Sequence, residues 1–513
     1  MNRSFSWKHT VFAWLCLLLG YGFIRFFPVS AHPLGGFLFV WLLFGATTFF
    51  LWEKKPWKKM IPTLIGASAL VLSPAFLWLG NGTGGKTFCN LLYLWSAFAY
   101  LYWVCAVNGN TVESRPGQWF FFDLIKALFL QPFQSFGTLF PALSGNKKGQ
   151  KALSTAGWIL LGLVIAMIPA LLVFLMLSYD AAFTTLMGQI FNLTPYTILK
   201  QFFNLILAVP VALCLFSAAY SSAEQKSEKG FSPEKCKALR NSARFLPFPL
   251  SAAGLFPFFF LYAVFFLSQW SYFTSAFNGL KPAEFSYANY ARQGFFELFA
   301  VSTFNLILLL LLTVFTRRKN KGIPHRILAS TLSVFTLILI ATALSKIILY
   351  IKEYGLTPKR VYTSCFMVFL AVCFLLILLR QCFPKLNLAA ILLISAFLFC
   401  GSMVFSEPDA RIAQYNVNAY LSGHLKSVDI DAMEELGDSA LPYLIQLTET
   451  LEERHGFSRN DLPKNLTPNS PEIIYQQAVT YLQTAAQKDA PGLTSRNITY
   501  FNAHRALQRW IDT

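Results

Sequence analysis

Charge is scarce in this chain, and acidic charge is the scarcest. Only 13% of its 513 residues are Asp, Glu, Lys or Arg, against 55% hydrophobic. That leaves too little solvated surface for an ordinary soluble protein. Histidine is rare too: the six residues, at 9, 32, 325, 424, 455 and 504, form no ligand-spaced pair, which disfavours zinc chemistry. Of nine cysteines, Cys236 lies in a basic loop and the rest sit in or beside apolar runs, with none after residue 405. They read as membrane-filling side chains rather than a disulfide framework or a metal cluster.

What is present is length of apolar run. A helix needs about 20 mostly apolar residues to cross the hydrocarbon while satisfying its own backbone. Spans are expected at about 11–27, 34–52, 60–79, 88–107, 156–178, 202–220, 249–272, 295–316, 327–349, 361–380 and 389–405. The first begins after only Arg3 and Lys8 and lacks a small-x-small cleavage site, so it reads as a retained helix rather than a cleaved signal. The predicted fold is an all-α, polytopic helical membrane protein of about 11 spans with a small C-terminal all-α domain. It divides into N-terminal transmembrane helices (1–110), a cytoplasmic interfacial segment (111–155), a transmembrane core (156–405) and a soluble helical tail (406–513).

The formal charge of +18 invites a nucleic-acid reading, but its distribution argues against one. From residue 406 onward there are 9 Lys+Arg and 14 Asp+Glu, so the positive excess belongs to the loops between spans. Lys54, Lys55, Lys58 and Lys59, then Lys147, Lys148 and Lys151, then 226–244, then 317–326 all fall on one side if the N-terminus is cytoplasmic. The tail is then extracytoplasmic. Lys352, Lys359 and Arg360 go against the rule: either a span near 327–360 is miscounted or a local reason holds them outside. The expected partners are the lipid bilayer and a membrane or periplasmic protein; nucleic acid is not expected.

Gln118–Leu130, an apolar run carrying Asp123 and Lys126, is short for a span and is expected to lie as a helix in the cytoplasmic interface. In the tail, helices are expected around Ala440–Leu451, capped by Asp438 or Ser439, along Ile474–Ala485, along Ala503–Trp510, and at Val417–Leu421 ending at Gly423. Residues 80–87, GNGTGGKT, match the phosphate-binding pattern G-x-x-x-x-G-K-[ST] letter for letter. The motif joins two membrane helices instead of following a buried strand, so it reads as a flexible turn. No cofactor is implied.

Three segments stand out. Phe285–Asn305 carries Tyr290, Arg292 and Glu297 into the eighth span, and an ionisable residue there is costly unless it is paired or lines a cavity. Its bland alternative is an interfacial anchor with Glu297 facing water. Tyr350–Tyr362 crowds Tyr354, Lys359 and Arg360 around a Gly355–Pro358 turn, readable as a capped loop. Tyr415–Gly423 contributes Asn416 and Tyr420, with backbone capping as the ordinary role of the asparagines. All three share one face in the favoured topology. The expectation is that Glu297 pairs with Arg292, Lys359 or Arg360 beneath the tail. No residue is assigned a catalytic, cofactor or metal role.

Residues 290–298 (YARQGFFEL), 354–362 (YGLTPKRVY) and 416–423 (NVNAYLSG) resemble a family of multi-pass bacterial membrane proteins labelled only as a domain of unknown function, the 4153/4173 group. The resemblance covers the later spans and the start of the tail. It implies a bacterial inner-membrane protein and carries no activity with it. An envelope accessory, signalling or assembly protein ranks first, a transporter or channel with a polar site at the outer face second, and an envelope-lipid-modifying enzyme third.

Overall fold

The computed structural model describes the chain apart from residues 1–4, 27–31, 110, 114–115, 145–179, 181–195, 225–231, 269–286, 318–322, 460–469, 489–495 and 513. Within the described residues the chain is an all-α polytopic protein with no strand, only an isolated bridge between Leu246 and Thr316. Among the described residues, ten helices are long and apolar enough to cross a membrane. Each falls on one of the expected spans; the expected span at 156–178 lies outside the described residues.

α1 (Trp7–Arg25), α2 (Pro33–Phe50), α3 (Met60–Leu72, extended by a 3-10 turn to Leu77) and α4 (Thr83–Val107) form the first bundle. They pack with α7 (Tyr196–Ala223) around Phe12, Phe44, Tyr100, Trp103 and Phe216. Small residues set the helix spacing, as expected where lipid is as apolar as the core. A Cβ on Gly20 would strike the Ala208 carbonyl of α7, and one on Gly66 would come within 2.9 Å of the Trp103 ring. Buried polar groups are matched across helices: Trp95 donates to Ser68 (2.9 Å) and Thr47 bonds Tyr100 (3.0 Å).

The second bundle comprises α9 (Phe248–Ser268), α10 (Tyr287–Phe315), α11 (Ile323–Tyr354) and α12 (Pro358–Cys382), around Phe295, Leu332, Leu339, Met367 and Phe374. At its centre the Tyr262 hydroxyl donates to Asn305 (2.5 Å), whose amide donates to Thr336 (3.0 Å). α13 (Leu388–Phe405) lies along the outside and leads to the tail.

The segment after α4 departs from the single helix expected. α5 (Phe120–Ile125) gives way to a π turn (Lys126–Leu130) and 3-10 turns before α6 (Leu139–Ser144). Its polar residues point inward: Asp123 is fully buried, accepting from the Val112 N–H at 2.5 Å, and Lys126 is buried beside it. Phe121 and Phe129 face out. Burial pushes the Asp123 carboxyl up to about 6, partly offset by those backbone donors. α8 (Pro233–Ala243) follows, with Ser232 capping its start.

The tail is built from α14 (Pro408–Leu421), α15 (Ile430–Glu434), α16 (Leu441–His455), α17 (Pro471–Gln487) and α18 (Ile498–Asp512). The expected apolar spacings are its core: Leu441, Leu444, Leu447 and Leu451 meet Ile474, Ala478, Ala503, Leu507 and Trp510. The expected side-chain cap of α16 is absent. Ala440 occupies the cap position after a 3-10 turn, and Asp438 is used elsewhere.

Gly20→Val should force α1 away from α7. Overpacking of this kind costs about 1–3 kcal/mol, so detergent-solubilised protein should lose thermal stability. Gly45→Val, where nothing lies within 4 Å of the added Cβ, should leave it unchanged.

Candidate functional site

The tail meets the membrane helices at the Gly-rich segment 80–87. α4 starts at Thr83, so its first backbone N–H groups have no partner within the helix and point out of its N-terminus. The chain supplies one from far away in sequence. Glu407 adopts a left-handed backbone (φ 46°), turning the exit of α13 into α14, and Pro408 opens that helix. This turn buries Asp409 (4% exposed) against α4. Its Oδ2 accepts from the Gly85 N–H at 2.7 Å, and its Oδ1 accepts from the Tyr362 hydroxyl of α12. One carboxylate thus ties the tail to both bundles.

The glycines are explained by contact. A Cβ on Gly84 would collide with the Tyr362 hydroxyl and Asp409, and one on Gly82 with the Leu436 carbonyl. The turn is therefore a tight seat, not the flexible joint its composition suggests. Further bonds run along it. The Thr83 N–H donates to the Glu435 carbonyl (2.8 Å), and the Asp438 N–H to Asn81 (2.9 Å). The Asn497 amide and Thr499 hydroxyl bond the carbonyls of Leu79 and Trp78. Within this motif the Gly85 N–H is already taken by Asp409. Lys86 is exposed, and Thr87 bonds back to Thr83 in its own helix.

Two of the three expected segments meet beside this seat. Asn416 is buried and reads the turn between α11 and α12 with both ends of its amide: Oδ1 accepts from the Leu356 N–H (2.7 Å) and Nδ2 donates to its carbonyl (2.8 Å). Gly355, at φ +73°, would place a Cβ 2.7 Å from that amide. Arg360 donates to the Gly355 and Tyr354 carbonyls (2.6 and 3.0 Å) and lies 4.1 Å over the Tyr350 ring, against which Tyr354 also packs. This is a local reason for Arg360 to sit on the tail side. Lys359 is exposed; Tyr420 is half-buried against the tail core, which pushes its hydroxyl up.

Only the later side chains of the third segment fall within the described residues. Tyr290 and Arg292 lie in the opening turns of α10, and their side chains fall outside the described residues. Glu297 is exposed, and its charge reaches Lys346, which is buried on α11. The signal for Lys346 was visible as a lone lysine inside the run ATALSKIILY. Asp409 was missed, and Tyr362 was passed over at the end of a singled-out segment, although an aspartate soon after a span and four glycines around the start of a helix both hint at a buried contact.

The sequence profile of a family described as a domain of unknown function (DUF4153) matches residues 39–447. The chain belongs to this family. The match takes in the whole seat around Asp409, Tyr362, Asn416 and Asp438, and stops short of Asn497 and Thr499 in this DUF4153 chain. No curated protein and no solved structure matches it.

Removing Asp409 strands a buried N–H and a hydroxyl, at about 1–3 kcal/mol for each unsatisfied group. Asp409→Ala should therefore make the tail protease-sensitive in intact protein, while Asp409→Asn, which keeps an acceptor, should lose less. Burial raises the proton affinity of Asp409, and of Asp438 despite its neighbour His504. A carboxyl raised on folding stabilises most when protonated, and that contribution falls as pH rises through its folded value. Tail protection should accordingly hold or improve between about pH 7.5 and 5.5; loss over that window would contradict the assignment.

Proposed function

We propose that this is an accessory or signalling protein of the bacterial cytoplasmic membrane, its N-terminus inside and its tail outside as a fixed helical cap for a protein partner of the envelope. The orientation rests on charge. Lys54, Lys55, Lys58, Lys235, Lys237, Arg244 and Arg317 gather at the ends of the spans remote from the tail, as cytoplasmic loops do. The observation that carries the reading is the Asp409 carboxylate, bonded to α4 in one bundle and α12 in the other. A partner that tilts the tail would change the relation between the bundles, and a change within the membrane would reach the tail by the same route. Transport is the second reading, supported by Tyr262–Asn305–Thr336 and by Glu297 acting on buried Lys346.

Photo-crosslinkers placed at Thr480 and Thr484 on the exposed side of α17 should capture a discrete protein adduct in cells. Asp409→Ala should abolish it at unchanged protein level. A reporter active only outside the cytoplasm should work when fused after Ser422. Reporter activity only inside would sink the orientation. Absence of an adduct, together with ion flux in proteoliposomes that Lys346→Met removes, would favour transport.

A further inference from the structure

At the end of the molecule remote from the tail, α8 runs into α9 beside the close of α10. The backbones lock there: the Leu246 N–H donates to the Phe315 carbonyl (3.1 Å) and the Arg317 N–H to the Leu246 carbonyl (2.9 Å). Arg317 also donates through Nε to the Arg244 carbonyl (3.1 Å). Around this knot opens a pocket of about 490 Å³, lined by Asn241, Ser242, Arg244, Phe245 and Arg317. Two guanidinium groups, an amide and a hydroxyl line it, and no carboxylate does among the described residues.

The basic groups here are short of acceptors. Arg240 and Arg244 lie about one helical turn apart, and each buries an Nε–H with no hydrogen-bond partner among the described residues. Arg240 lies over the Trp119 ring at 4.5 Å. Burial, and then the charge of Arg240, weaken the hold of Arg244 on its proton. Neighbouring cations repel, so an anion held in the pocket beside Arg244 would offset the charge that Arg240, outside its lining, places on it.

The pocket's place in the membrane selects the anion. The span in α9 begins at Phe248 and the span in α10 ends at Phe315, so Arg244 and Arg317 stand at the hydrocarbon boundary. Phe245 and Leu250 beside them are exposed. We propose that Arg244 and Arg317, with Asn241 and Ser242, form a site for the phosphate of an anionic phospholipid whose chains lie against Phe245 and the outer face of α9. Arginine suits such a phosphate because its planar fork donates two bonds at once, and basic pockets at the ends of spans recognise headgroups in this way. This inference is independent of the tail reading.

The test uses full-length protein in detergent, with lipid adducts counted by native mass spectrometry during titration with short-chain phosphatidylglycerol or phosphatidylcholine. Wild type should retain phosphatidylglycerol over phosphatidylcholine. Arg244→Gln and Arg317→Gln should each weaken that retention about ten-fold, the scale of one charge-assisted bond. Lys237→Gln, which removes an exposed charge from α8 outside the pocket, should change nothing. If a glutamine variant fails to fold, Arg244→Lys keeps the charge, loses the fork and should show a smaller loss. Equal retention of both lipids, or an equal effect from Lys237→Gln, would overturn the proposal. Displacement of phosphatidylglycerol by equimolar inorganic phosphate would overturn the lipid assignment in favour of free phosphate.

Discussion

The junction depends on a carboxylate taken out of water. An ionised group buried as deeply as Asp409 is tolerated only where the surroundings replace its hydration. Here the replacement comes from two directions: a peptide N–H at the start of α4 and a phenol from α12. The N-terminus of a 25-residue helix also carries a positive partial charge that favours an anion there. Neither donor lies near Asp409 in sequence, so the seat exists only when both bundles and the tail are assembled. The glycines are the other half of the same constraint. Side chains at 82 and 84 would collide with Asp409, the latter with Tyr362 as well, and one at 85 would strike the Gly80 backbone.

The membrane architecture was largely legible because a bilayer imposes a one-dimensional rule. Runs such as 295–316 and 389–405 have to be helices once they are long and apolar. The tail was legible for the analogous reason: the spacing of Leu441, Leu444, Leu447 and Leu451 fixes a buried stripe whatever covers it. The segment at 118–130 was less so. Its composition suits an interfacial helix, but periodicity alone does not say that Asp123 and Lys126 face the protein and the phenylalanines face out.

The site was legible only where the chemistry is local. Asn416, Gly355 and Arg360 attracted notice as a capped turn and capping asparagines, and they are that, although the cap reaches across 60 residues. GNGTGGKT reads from its composition as a loose turn, whereas its contacts make it a tight seat. Its partner is Asp409, 324 residues from Gly85, and no pattern of spacing links the two. Glu297 stands out in the sequence as an ionisable residue at the start of a span, and its charge reaches Lys346. Which cation depends on how α10 and α11 rotate against each other, and a sequence with a weak helical moment does not specify that.

The two ends of the molecule solve one electrostatic problem in opposite ways. At the tail the chain buries an anion and brings its own donors to it. At the far end it half-buries donors on Arg240 and Arg244 and brings them no anion among the described residues. An unpaired buried donor costs about 1–3 kcal/mol, a sizeable part of a fold's margin, and the basic pocket beside these donors is suited to an anion from outside the chain. A membrane boundary supplies phosphate continuously, at a depth set by the spans themselves. Asp409 closes its end of the protein from within, and a headgroup phosphate closes the other from the lipid.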